Sequence, residues 1–232
     1  MLIINSIPAF VIHVKNAQER YENIIKQKAK DIIQNINIFD AYTPDNIQQR
    51  NPDYYDKFYL RFNDSNYNRK NCCLTLSHLD IIKTAKKLKF PYVLVLEDDF
   101  NIKENFTSNY QIKLHKDVMF DFLYIGGYFD NPQVTEKIRS NIYKVKYASC
   151  SVAYIVSQSI YDYYIESIER HYENKCGLLA VDGFFANVLL PEINTLALIP
   201  TLINTIPSTS LLTDTYIDHY DFYKQQNKKL NE

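Results

Sequence analysis

Glycine is nearly missing from this chain. There are four in 232 residues, Gly126, Gly127, Gly177 and Gly183. No arrangement of them makes G-x-G-x-x-G or G-x-x-x-x-G-K-[ST], so neither a Rossmann dinucleotide loop nor a P-loop is expected. Tryptophan is absent, and cysteine is scarce. Cys72, Cys73, Cys150 and Cys176 show no C-x-x-C and no zinc-ligand spacing. Cys72 and Cys73 are adjacent in a helix-like segment, where a bridge would be strained, so reduced thiols in a cytosol-like compartment are expected. Long apolar runs are lacking too. The purest is the five residues Tyr92 to Leu96, far short of the roughly 20 a membrane helix needs. The opening MLIINSIPAFVIHV has neither the basic start nor the small-residue cleavage site of a signal peptide. These features lead to the expectation of a cytoplasmic protein with no transmembrane segment. Charge of one sign is missing as well: 26 Lys and Arg against 27 Asp and Glu give no general attraction to nucleic acid or an anionic membrane.

What remains is an ordinary globular composition, 46% hydrophobic and 23% charged, with a length that suits one domain. Ala9 to Val14 reads as a buried strand and Ile36 to Ala41 as a second. Between them Tyr21, Ile24, Ile25, Ala29, Ile32, Ile33 and Ile36 recur at helical spacing, which predicts one apolar stripe, with Asn16 as N-cap and Glu19 as its capping-box partner. Residues 42–71, rich in Pro, Asn, Asp and Tyr, read as a long irregular segment. Leu74, His78, Ile81, Ile82, Ala85 and Leu88 mark a second helix, stopped by Pro91. Further strands are expected at Tyr92 to Phe100, Phe120 to Gly127, twice within Ile142 to Val156, and at Leu196 to Ile199. Helices are expected at Tyr161 to Tyr172 and Asp182 to Leu190. Alternating strands and helices predict an α/β fold with a mostly parallel central sheet. Residues 1–223 form one domain in this reading, and 224–232 a polar tail.

The most informative stretch is YVLVLEDDF, Tyr92 to Phe100, where an apolar strand runs into three carboxylates. Ligands of parallel sheets bind beyond the carboxyl ends of the strands. Adjacent carboxylates repel unless a cation or several donors meet them. Glu97, Asp98 and Asp99 therefore fit Mg²⁺ or Mn²⁺ bridging to substrate phosphates, or else cap a turn facing water. Strand alternation places Glu97 and Asp99 on one side and Asp98 on the other.

Several blocks in order resemble glycosyltransferase family 25, which contains lipopolysaccharide β-galactosyltransferases and procollagen galactosyltransferases. They are FVIHVKNAQER, FDAY, CLTLSHLDIIKTA, VLVLEDDF, FDFLYIGG, VAYIVS, VDGFFANVL and LALIPTLI, spanning about residues 9 to 215. The chain departs from the family pattern at Cys72-Cys73, where the family has Gly-Cys. It departs again at Cys150, Ser151, Val152, Ala153 and Tyr154, where the family often has Gly-Thr-His-Ala-Tyr. In the opening turn, His13 and Lys15 replace the more usual Asn and Asp.

The resemblance implies a GT-A-like single-domain sandwich and an inverting, metal-dependent transfer of a hexose from a UDP-sugar to a hydroxyl. Galactose or glucose is the expected hexose, and the acceptor class is a glycan, a lipopolysaccharide-type or a hydroxylysine-type group. By that carry-over Asp99 is the direct Mn²⁺ (or Mg²⁺) ligand, and Glu97 is its D-x-D-like partner. His13, Val14, Arg20, Ala41, Ser77, His78, Glu97 and Asp98 fall to the nucleotide-sugar site. Asp182 is the candidate general base, with N-cap of its short helix as the competing role. His78, on an apolar stripe, also reads as a packed core histidine, and Arg20 as a surface ion-pair residue. His219 is a candidate late metal ligand. The departures also leave open a non-catalytic relative that binds nucleotide or sugar.

Overall fold

Every interior position of YVLVLE is apolar because the strand it forms is covered on both faces. In the computed structural model, which describes residues 3, 6–33, 35–62, 65–104, 118–129, 134–174 and 180–218, this segment is β3 (Tyr92–Glu97). Before it come β1 (Ala9–His13), α1 (Gln18–Lys28), β2 (Ile36–Asp40), α2 (Ile47–Arg50), α3 (Pro52–Lys57) and α4 (Asn66–Lys87). After it come β4 (Phe100–Ile102), β5 (Phe122–Tyr128), β6 (Val134–Arg139), β7 (Ile142–Val145), β8 (Ser149–Ser157), α5 (Tyr161–Glu173) and α6 (Val181–Phe184). The last strands are β9 (Thr195–Leu198), β10 (Ile203–Thr205), β11 (Ser208–Thr209) and β12 (Tyr216–Ile217). His219, Cys176 and the 224–232 tail lie outside the described residues.

The main sheet runs β2-β1-β3-β8-β5-β9-β7-β6, with β10 and β4 pairing beside β5. β2, β1 and β3 are parallel, as are β5 and β9, while β8 is antiparallel to both β3 and β5. Five of the six central strands therefore point one way. This is the expected α/β sandwich with a mostly parallel central sheet. Val93 and Val95 face a layer built from α4, α5 and α6, whereas Leu94 and Leu96 face a second layer with Ile24, Ile32 and Ile33. The parallel order carries the ends of β1, β2 and β3 to one edge, and the reversal of β8 brings its beginning to the same edge.

Three expectations need correction. The helix after β1 ends at Lys28, its N-cap is Ala17 with no side-chain cap, and its buried face is Arg20, Asn23, Ile24 and Gln27. Tyr21 and Ile25 are exposed. The reason is the irregular backbone beside it: Asn23 Nδ2 donates to the carbonyls of Asp98 (3.2 Å) and Phe100 (2.9 Å), and Gln27 Oε1 accepts from Ile102 N–H at 3.0 Å. Buried backbone groups outside a ladder require partners, so this face is polar. Residues 42–62 are not structureless but hold α2, α3 and a 3₁₀ turn. Asn51 caps α3 by accepting from Tyr54 N–H, and the phenols of Tyr42 and Tyr54 donate to Asp80 of α4. Finally, α4 starts at Asn66, capped by Ser65, and Leu88 at its end is exposed rather than core.

Candidate active site

A cleft of about 800 Å³ opens at the edge where β1, β2, β3 and β5 end and β8 begins. Glu97, Asp98 and Asp99 line it together with Arg20, and Asp182 lines it as well. β3 stops at Glu97, and the next two residues form a turn. The alternation of the strand therefore does not continue through the acidic residues, and Asp98 and Asp99 both face α1. Arg20 Nη1 lies 3.6 Å from Asp98 Oδ1 and 3.0 Å from Asp99 Oδ2, and its Nη2 donates to Thr209 O at 3.0 Å. His13 Nδ1 is 3.0 Å from Asp98 Oδ2. Asp98 is the buried member of the three, tied to two side chains, so it serves as the anchor of the turn. The mutual repulsion anticipated for the carboxylates is largely met by Arg20 and His13.

Glu97 is held differently. Ser151 Oγ donates to Glu97 Oε1, and His78 Nε2 stands 3.6 Å from the same oxygen. That distance marks an electrostatic contact rather than a hydrogen bond. His78 Nδ1 meets Tyr154 Oη at 2.6 Å, and Tyr154 Oη meets Tyr164 Oη at 3.4 Å. With Nε2 carrying the proton toward Glu97, Nδ1 accepts from Tyr154, and one chain of partners runs from α5 to the acidic turn. Burial raises the Glu97 pKa, but His78, Ser151 and Arg20 outweigh it and hold the carboxyl below its ordinary value. Glu97 is thus kept ionised.

The other residues named from sequence divide into two groups. Val14, Arg20 and Ala41 line the cleft. His13, Ser77 and His78 are buried behind it. Ser77 Oγ accepts from Tyr42 N–H at 2.9 Å and donates to Cys73 O at 2.8 Å, so it fixes the wall after β2. Asp182 sits inside α6, whose N-cap is Ala180, and its Oδ1 accepts from Gly183 N–H at 2.8 Å. It is not the N-cap. Burial first and then the charge of Asp182 push the phenol of Tyr124 on β5 well up. Val152, where the family pattern has His, is buried in the far layer with Leu96 and Ile203. That departure leaves the cleft untouched. Cys150 lines it, but burial and then Glu97 push its thiol up, so it is no thiolate nucleophile.

Among the described residues no three His, Cys, Asp or Glu side chains converge as a ready-made metal cage. Asp99 Oδ1, however, is buried without a hydrogen-bond partner on a residue that lines the cleft. Mg²⁺ and Mn²⁺ are commonly held by one or two carboxylates plus substrate phosphates and water. One unmatched carboxylate oxygen beside a cleft of this size fits such a shared cation.

Sequence reasoning missed the wall formed by α4 and residues 205–217. Asn66, Lys70 and Leu74 line the cleft at successive four-residue steps, and Ser208, Leu211 and Asp214 line it from the hairpin. The α4 stripe was legible once the helix is begun at Ser65. The hairpin carried no signal, since β11 and β12 are two residues each.

A family model described as glycosyltransferase family 25 (LPS biosynthesis protein) matches residues 6–181. The chain belongs to glycosyltransferase family 25. As a family 25 protein it is a glycosyltransferase, and the acidic turn and Ser-His helix described above lie inside the matched region. No curated protein matches the sequence significantly. Among solved structures, one similar chain is a glycosyltransferase involved in the glycosylation of the major capsid of PBCV-1. It is 8% identical, with 97% of this chain and 98% of that one covered and a TM-score of 0.49. Another is A197 from STIV, 11% identical over 84% of this chain and 81% of that one, with a TM-score of 0.41. At such scores the family assignment rests on the sequence match alone. No described helix of this family 25 chain is long and apolar enough to cross a membrane.

Proposed function

We propose that the protein is an inverting hexosyltransferase that takes a sugar, galactose or glucose, from a UDP-sugar. The acceptor is a hydroxyl of a glycan or protein side chain. The observation that carries this reading is one cleft with two separate acidic elements, the Arg20-bound turn Glu97–Asp99 and the helix residue Asp182. Asp99 Oδ1, with Glu97 beside it, would hold Mn²⁺ or Mg²⁺ against the donor diphosphate. That ion supplies charge neutralisation for the leaving nucleotide.

This chain's residues account for the rest. Arg20 keeps Asp99 in place through its 3.0 Å contact, and the His78–Tyr154 pair with Ser151 keeps Glu97 ionised and oriented. Among the described residues Asp182 forms no ion pair, and its Oδ1 accepts from Gly183 N–H, so its other carboxylate oxygen is available to an acceptor hydroxyl. As the acceptor oxygen bonds to the anomeric carbon, the bond from that carbon to the phosphate oxygen breaks. The hydroxyl proton passes to Asp182, and the electron pair leaves with the nucleoside diphosphate.

Transfer from a panel of UDP- and GDP-sugars with Mn²⁺ tests the reading. Asp182→Asn should bind UDP normally while transfer falls ~10²–10⁴-fold, the usual worth of a general base. Full transfer by that variant, or loss of UDP binding, would remove Asp182 from this role.

A further inference from the structure

Six carboxylates line the cleft among the described residues, Asp45, Glu97, Asp98, Asp99, Asp182 and Asp214, against two cations, Arg20 and Lys70. A diphosphate is itself an anion, so such a lining opposes it unless positive charge is set free for it. Arg20 is committed to Asp98, Asp99 and the Thr209 carbonyl. Lys70 is differently placed. Its Nζ lies 2.9 and 2.8 Å from the two oxygens of Asp214, a residue whose side chain is 71% exposed. An ion pair with so exposed a partner contributes little and exchanges readily.

The geometry of the Asp214 side supports such an exchange. Asp214 stands in the turn between β11 and β12, left-handed at φ 56°. The root of this hairpin is fastened to the acidic turn by Ile206 N–H donating to Asp99 O at 2.8 Å and by Arg20 to Thr209 O. Its tip is joined to α4 through Lys70. The hairpin is therefore a strap across the cleft, with a fixed end at the acidic residues and an exchangeable end at Lys70.

We infer that Lys70 is a diphosphate-binding residue held in reserve by Asp214, which the nucleotide displaces on entering. This rests on the nucleotide-sugar reading above. Lys70 then supplies a point charge to the phosphate, and the hairpin tip is released as the ligand arrives. Asp214 acts as a competitor of the ligand and not as part of its site.

Calorimetric titration of UDP and of uridine, with GDP in parallel and Mn²⁺ fixed, tests this in the native protein and four variants. Lys70→Met should weaken UDP about 10-fold or more, the worth of one charge-assisted hydrogen bond, and leave uridine unchanged. Lys70→Arg should largely restore UDP. Asp214→Asn should tighten UDP several-fold, and in the double variant with Lys70→Met that gain should vanish. Asp214 is exposed, so its variant folds and the direction of its effect decides on its own. If Asp214→Asn weakens UDP, the pair is a structural clasp and the inference is overturned. It is overturned equally if Lys70→Met binds UDP as the native protein does. If the native protein binds neither UDP nor GDP, the nucleotide-sugar reading itself has failed and this one goes with it.

Discussion

Cys150 shows how much a single residue discloses. Its φ is 70°, in the left-handed region, where a side chain costs roughly 1–2 kcal/mol. The family resemblance often places glycine at this position, and the cysteine here makes it a site of backbone strain on the cleft wall. Cys150→Gly should lie within about 1 kcal/mol of the native protein, since relief of strain offsets lost packing and added chain entropy. Cys150→Val should lose ~2 kcal/mol or more, because a branched side chain is least tolerated at positive φ. Urea denaturation of the two variants checks this, and equal stability would mean that the backbone there is unstrained. Residue types were legible where chemistry is local: Glu97, Asp98, Asp99 and Asp182 were named from the chain and do share one cleft. The partner of each was not legible. Arg20 reaches Asp99 across 79 positions, and no periodicity of α1 marks Arg20, Asn23 and Gln27 as its buried face. Their burial answers carbonyls and an N–H in another element.

At the scale of the element, the decisive contact is between β5 and β10. A Cβ on Gly126 would stand 2.9 Å from Ile203 O and 3.0 Å from Ala153 Cβ. β10 leads through Ile206 to the strap over the cleft, so the bare backbone of Gly126 sets where the strap begins. Gly126→Ala should lose ~1–3 kcal/mol, as overpacking does, and should also weaken UDP binding, since the Ile206–Asp99 bond shifts with β10. Denaturation paired with a UDP titration reads both effects, and an unchanged variant would show that the strands can part without cost. The elements that sequence predicted well are β1, β3, β5 and β8, which are near-continuous apolar runs, and α5, an uninterrupted helical stretch of 13 residues. β6, β10 and the β11–β12 hairpin were not foreseen because they are short, polar or both, and their strand character comes from pairing partners alone. The helices within 42–62 were hidden for a related reason. Asp80 on α4 and the caps supply what the local sequence lacks.

At the scale of the molecule, the sheet brings separate stretches of chain to one edge and leaves a cleft with an acidic turn on one side, Asp182 on α6 and a basic residue on α4. The central claim is that Asp99 and its neighbours hold a metal–diphosphate pair there. The most direct measurement is thermal unfolding of the native protein and of Asp99→Asn, each alone, with Mn²⁺, with UDP, and with both. In the native protein the two ligands together, at 100 times the dissociation constant, should add ~2.7 kcal/mol to the stability of the empty protein, and either alone should add less. Asp99→Asn should melt near the native protein when empty, because Arg20 and His13 still hold Asp98, and should lose the joint effect. A full joint shift in Asp99→Asn, or no shift in the native protein with any nucleoside diphosphate and metal, would contradict the account.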